Sequence, residues 1–204
     1  MKQAIAVLMF VVLVAGSTQA QVGFGITGGV NLANVGGADA VTGSKNLTGF
    51  AGGVYLDLGI PFFISVQPEV LYSMKGYKAD ASFTIGANTV SVNQTVNLNY
   101  IEVPVLLKFS FPVPALKPTL FAGPSMGILL SAKAKVDITG QPSQDQDIKS
   151  LTTSTDWGVV VGASAHIAVV TVSARYTLGL TTLDKTGGTK AYNRVLSFML
   201  EVPM

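Results

Sequence analysis

Hydrophobic and polar positions alternate along this chain, most clearly over residues 62–77, FFISVQPEVLYSMKGY. Ile64, Val66, Pro68, Val70, Tyr72 and Met74 share one face, and Ser65, Gln67, Glu69, Leu71, Ser73 and Lys75 share the other. A period of two marks a β-strand with one apolar and one polar side. The run is roughly 11 or 12 residues long, beyond the mode of about 5–6 in soluble sheets. A tilted strand that crosses a bilayer needs about 9–11 residues. Pro68 cannot donate to a ladder, which makes an ordinary central strand an awkward reading.

The pattern recurs along the rest of the chain. Phe24, Ile26, Gly28, Val30 and Leu32 oppose Gly25, Thr27, Gly29 and Asn31, and Phe50, Gly52, Val54, Leu56 and Leu58 oppose Ala51, Gly53, Tyr55 and Asp57. After the stretch at 62–77, Ile101, Val103, Val105, Leu107, Phe109 and Phe111 oppose Tyr100, Glu102, Pro104, Leu106, Lys108 and Ser110. Further strands are read at about 120–131, 156–167, 171–180 and 194–204, which brings the total to eight. The intervening segments at 34–47, 76–97, 134–155 and 182–192 are long and polar, while those near 59–61, 112–118 and 168–169 are short. The segment from Gly76 reads as an extended hairpin or a loop, and 134–155 as an exposed loop. Long and short connections alternate, so all short ones lie on one side, as in outer-membrane barrels.

Residues 1–20, MKQAIAVLMFVVLVAGSTQA, carry Lys2, then an apolar run of about a dozen residues, then small residues, the layout of a secretory leader. The expected organisation is a signal peptide at 1–20 and a barrel at 21–204. No later segment holds the ~18 uninterrupted apolar residues of a helical span.

The polar faces carry Asp57, Glu69, Glu102, Lys108, Asp156, Arg175 and Glu201, whereas the apolar faces carry almost no charge. Two architectures suit such strands. A membrane barrel turns its apolar face outward, and a lipocalin-like soluble barrel turns it inward to hold an apolar ligand. Composition favours the membrane barrel: only 12% of residues are charged, against the roughly 25–35% usual on a soluble surface. Phe24, Tyr72, Phe109, Phe111, Trp157 and Tyr176 fall toward strand ends on the apolar face, as interfacial aromatic girdles do. The fold expected is an all-β, eight-stranded antiparallel up-and-down transmembrane barrel. A net charge of +2 without a dense basic run gives no sign of a nucleic-acid partner, and the lack of cysteine excludes disulfides and thiolate sites.

The segments SVQPEVLYSMKGYK, NYIEVPVLLKFSF, LFAGPSMGILLSAK and RYTLGL together resemble the outer membrane β-barrel domain family, in its small eight-stranded PorT-like group. The resemblance runs from about Val22 to the C-terminus. It implies an outer-membrane location in a Gram-negative envelope, contact with outer-membrane lipid and insertion by the barrel-assembly machinery. It implies no single activity; some members serve secretion. Such barrels often end in an aromatic residue, whereas this chain ends Glu201-Val202-Pro203-Met204.

An eight-stranded bore is just wide enough for side chains to fill it, so an open pore is not expected. Charges inside must be paired. The expectation is a structural lumen network joining Glu69 and Glu102 to Lys108 and Arg175, with Asp57 on the same face, tying neighbouring strands together. His166, the sole histidine, shares a face with Ser164 and is placed at the periplasmic rim; a rim enzyme of Ser–His type is the weaker alternative. No metal-ligand spacing, nucleophile elbow or dinucleotide fingerprint occurs, and no catalytic residue, metal or cofactor is assigned. Specific binding, to an extracellular or envelope protein, is assigned to the loops.

Overall fold

In lipid every backbone N–H and C=O needs a partner inside the protein, and alternating strands meet that demand only by closing on themselves. The computed structural model describes residues 22–41, 43–60, 63–85, 88–111, 113, 116–138 and 141–204. Residues 1–20, expected as a signal peptide, lie outside the described residues, as do Phe62 and the prolines Pro61, Pro112 and Pro114 of the expected short connections. The strands are β1 (Val22–Gly36), β2 (Lys45–Ile60), β3 (Ile64–Ile85), β4 (Asn88–Ser110), β5 (Lys117–Ile138), β6 (Gln144–Asp147), β7 (Thr155–Ile167), β8 (Val170–Gly179) and β9 (Tyr192–Pro203). Each ring strand pairs antiparallel with the next, and β1 pairs β9 from Gly25↔Pro203 to Gly36↔Tyr192. β6 hangs on β5 between Lys133↔Asp147 and Val136↔Gln144, outside the ring. The remaining eight strands form one closed up-and-down barrel.

The two faces sort as the alternation requires. Phe24, Phe50, Val54, Leu107, Leu120, Trp157 and Phe198 are each more than half exposed on the outer wall. Asn31, Gln67, Glu69, Ser73, Glu102, Lys108, Arg175 and Ser197 are buried in the bore. The lipocalin-like alternative required Ile101, Val103, Val105 and Leu107 inside and Glu102 and Lys108 in water. The structure reverses it, with Leu107 at 57% exposure and Lys108 at 8%.

Of two long connections, one takes the first of its two expected forms and the other differs from expectation. The segment after Gly76 is a continuous hairpin, paired from Gly76↔Asn97 to Ile85↔Asn88. The segment 134–155, read as a loop, holds the end of β5 and all of β6. The cause is a bulge: Tyr100 pairs Leu129 while Asn99 pairs Ser131, leaving Leu130 as an extra residue. Beyond it the alternation changes phase, so Ala132 and Ala134 are buried and Lys133 and Lys135 exposed. Strands β3, β4 and β5 therefore span 22, 23 and 22 residues. At about 3.3 Å per residue and a tilt near 40°, such a strand rises roughly 55 Å, against an apolar band of about 25 Å. The excess lies on the side of the long connections and forms a raised sheet in the order β3-β4-β5-β6.

The closing seam leaves no room at Gly29: a Cβ there would lie 1.9 Å from the Phe198 carbonyl oxygen and 2.8 Å from Met199 Sδ. Adjacent Gly28 faces outward, where a Cβ would meet nothing nearer than 3.7 Å. Gly29→Val should abolish the heat-dependent mobility shift that marks a closed barrel on unboiled gels, while Gly28→Val keeps it. Equal behaviour of the two variants would show that the seam tolerates side chains on its inner face.

Candidate functional site

The short-turn end opens into a cup of about 480 Å³ lined by Tyr55, Asp57, Ser65, Lys117, Thr119, His166 and Thr171 among others. His166 is half-buried in its wall, with Nδ1 3.0 Å from Thr171 Oγ1. Ser164 lies two positions away but is not its partner, and no carboxylate is bonded to the imidazole among the described residues. The orienting group of a Ser–His pair is thus not in place.

The floor of the cup is an ionic latch. Lys108 Nζ donates to Gln67 Oε1 at 2.6 Å and lies 3.5 Å from Glu201 and 3.7 Å from Asp57. Gln67 Nε2 donates onward to Glu69 Oε1 at 2.8 Å and to Glu201 Oε1 at 3.3 Å, so its amide is matched to a cation at one end and carboxylates at the other. Arg175 Nη1 donates to Glu69 Oε2 at 2.7 Å, and its guanidinium lies 5.9 Å from the centre of the Phe121 ring. Above this sits a second latch. Lys75 Nζ bridges Glu102 at 3.2 Å and Asp156 at 3.4 Å, over the Tyr100 ring. Asn193 Nδ2 donates to Asp156 Oδ2 at 2.8 Å. Between the latches lies a void of about 10 Å³, bounded by Ser73, Lys75, Glu102, Arg175 and Ser197 among others. That volume is at the threshold for a single water.

The long-connection end is stoppered. Val96, Leu98, Tyr100, Leu129, Ala132 and Ala134 form a buried apolar cluster, with Tyr77, Ile148 and Leu183 packed against it. Ile148 and Leu183 belong to the connections that follow β6 and β8. Backbone bonds fold them in: Ile148 to Ala132 at 3.0 Å, Thr153 to Leu183 at 2.9 Å and Lys185 to Leu151 at 3.0 Å. Asp184 accepts from the backbone N–H and hydroxyl of Thr186 and from the Thr189 N–H, which holds its carboxyl below the ordinary carboxylate value. At the foot of the raised sheet Lys45 Nζ bonds Asp80 at 2.7 Å, a contact that holds the lysine above its ordinary value.

The expected network is thus brought together differently from its sequence form. Glu69 and Arg175 meet, and so do Lys108 and Asp57, but Glu102 pairs with Lys75. The reason is distance along β4: Glu102 stands six positions from Lys108, about 20 Å at strand rise, so one residue serves each latch. Nor do the contacts join only neighbouring strands; Arg175 on β8 reaches Glu69 on β3 across the bore. Lys75, Asp156 and Glu201 were readable from their place on the polar faces. Gln67, Asn31 and Asn193 carry no charge and gave no such signal. Asn31 nonetheless bonds Ser73 at 3.2 Å and accepts from Ser197 at 2.8 Å, joining three strands.

Removing one partner of a buried pair leaves a lone charge and costs about 3–5 kcal/mol, whereas replacing both is often neutral. Glu69→Leu or Arg175→Met alone should lower unfolding stability in urea titrations by about that amount, and the double variant should recover most of it. Additive losses would mean that the two groups do not interact. Asp184, whose folded value is depressed, orders its loop above the usual carboxylate value near 3.9 and loses that contribution as pH falls through the folded value. The Thr186 amide resonance should therefore titrate below about pH 4; a midpoint above pH 5 would place the controlling group elsewhere.

The sequence matches no curated protein. Solved structures similar to this chain include Ail, the attachment invasion locus protein of Yersinia pestis, crystallised with the heparin analogue sucrose octasulfate. It is 10% identical, over 90% of this chain and 99% of that one, with a TM-score of 0.48. Neisserial surface protein A is 17% identical over 88% and 96%, with a TM-score of 0.45. The N-terminal β-barrel domain of Pseudomonas aeruginosa OprF is 9% identical over 89% and 99%, with a TM-score of 0.33. A family model described as the outer membrane protein beta-barrel domain matches residues 17–185, and this chain, with its closed ring and apolar outer wall, belongs to that family.

Proposed function

We propose that this outer-membrane barrel is a non-enzymatic surface-binding protein that acts through the sheet it raises above the membrane and not through its bore. One observation carries the reading: the bore is filled while the wall is extended. Two ionic latches and an apolar stopper leave an internal void of only about 10 Å³ between them. The three longest strands, meanwhile, run well past the thickness of a bilayer. Ordered backbone held clear of a membrane adds nothing to anchoring. It serves to present a surface to something outside. The connections at 148–153 and 182–191 are tied to each other by the Thr152–Asp184 bridge and meet that sheet through the Ile148–Ala132 bond and the packing of Ile148 and Leu183 on its buried cluster. The periplasmic cup ends blind on the Lys108 latch, which supports a wall and not a conduit.

The test has two readouts on the full chain. Reconstituted into planar bilayers, it should give no sustained single-channel conductance. On intact cells, added protease should cut within 79–97 without permeabilisation. A steady ionic current, or cleavage only after the envelope is opened, would overturn the reading.

A further inference from the structure

The cup at the short-turn end is polar within and apolar at its lip. The short connections that form the lip carry one charge between them, Lys117, and no acidic residue. Ile60, Phe63, Val113, Leu116, Val169 and Met204 stand around it, each at least 41% exposed. Phe63 is held there: its backbone adopts φ 63°, which a bulky residue rarely does, and its carbonyl accepts from the Ser110 N–H at 2.9 Å. Inside, Lys108 and Glu201 are buried in the floor latch. Asp57, Lys117 and His166 also line the cup, and they divide it into a donor wall and an acceptor wall. Lys117 and His166 are direct partners across the β5–β7 pair, which puts their Cβ atoms about 5 Å apart on the inner face. Lys117 is exposed and has no carboxylate partner among the described residues. The His166 ring is engaged at Nδ1 by Thr171, so Nε2 is the nitrogen left for a ligand. Asp57 lies on β2, four strands from β7 in the ring of eight, and thus on the opposite wall. It is half-buried and makes no hydrogen bond among the described residues. Its neighbour Lys108 is 3.7 Å away and shared with Glu201.

We propose that the cup binds the headgroup of a zwitterionic inner-leaflet phospholipid, phosphoethanolamine, with the acyl chains left outside against the lip. The short turns of an outer-membrane barrel face the periplasm. A lipid beside them has its headgroup at that level and its tails rising along the outer wall. Exposed apolar side chains concentrated on the turns are poorly covered by water and well covered by acyl chains. A headgroup need only fold over the Ile60–Phe63 lip to enter the cup. The cup's volume of about 480 Å³ falls within the roughly 300–1,000 Å³ of small-ligand sites. The phosphate then meets Lys117 and His166, and the ammonium meets Asp57 across the bore, so that both ends of the headgroup make charge-assisted hydrogen bonds. A headgroup with a phosphate but no ammonium satisfies one wall and leaves Asp57 facing an anion. A wholly apolar ligand satisfies neither wall. The site lies at the opposite end of the barrel from the raised sheet and does not depend on what that sheet binds.

The test uses the full-length barrel in detergent, with native mass spectrometry as the readout of lipid retention. Dilauroyl phosphatidylethanolamine should be retained as a single copy, about tenfold better than dilauroyl phosphatidylglycerol. Asp57→Asn should keep the heat-dependent gel shift and bring the two lipids to parity, and Lys117→Gln should weaken both. Soluble glycerophosphoethanolamine separates the lipid from its free headgroup. It should bind about tenfold more weakly or worse than the lipid, because the lip contributes nothing to it. In intact cells a photo-crosslinking benzoylphenylalanine in place of Phe63 should label phospholipid. Equal retention of the two lipids by the unaltered barrel, an undiminished preference in Asp57→Asn, equally tight binding of the free headgroup, or crosslinking to a protein in place of lipid would overturn the proposal. None of these results bears on conductance or on protease access at the surface, so the proposed function stands or falls separately.

Discussion

The pairing of β1 with β9 is the constraint on which everything else rests. Without it two edges would open into hydrocarbon, where each unpaired backbone group costs several kcal/mol. Closure fixes which face is concave, and so forces every residue of one parity into a bore that holds side chains and little else. The same closure explains the seam at Gly29, where the β9 backbone comes too near for any side chain. The charged residues inside are then a consequence: polar groups in so narrow a bore must find one another, and they do so across the bore as well as along it.

The ring was legible because period-two alternation survives in one unaligned sequence. Strand β7 shows this well: Trp157, Val159 and Val161 turn out and Asp156, Val160 and Ser164 turn in, as parity requires. Legibility failed where parity broke. The extra residue at Leu130 reverses the phase, and a reader counting by twos sees β5 dissolve into a polar loop when it continues to Ile138. The hairpin above Gly76 is rich in Ser, Thr, Asn and Ala, with apolar residues too scattered to separate strand from coil until the partner strand is in place.

The lumen was legible by type and not by partner. Burial of Glu69, Glu102, Lys108 and Arg175 followed from face, but pairing depends on height along tilted strands, which sequence separation within one strand reveals and separation between strands does not. Hence the Glu69–Arg175 pair sits 106 residues apart in sequence while Glu102 turns to Lys75. Gln67 could not be singled out at all. Its importance lies in lying between Lys108 and two carboxylates, a property of position and not of residue type.

The stoppered bore has a bearing on how much of this protein a cell can carry. An open barrel adds a route for toxic solutes with every copy inserted, so its abundance is limited by the leak it creates. Here Ile148 and Leu183 pack over a buried apolar cluster at the outward mouth, and the bore beneath is latched twice. If the filled bore conducts nothing, as proposed above, copy number and envelope permeability are uncoupled, and the surface can be populated densely without adding a leak.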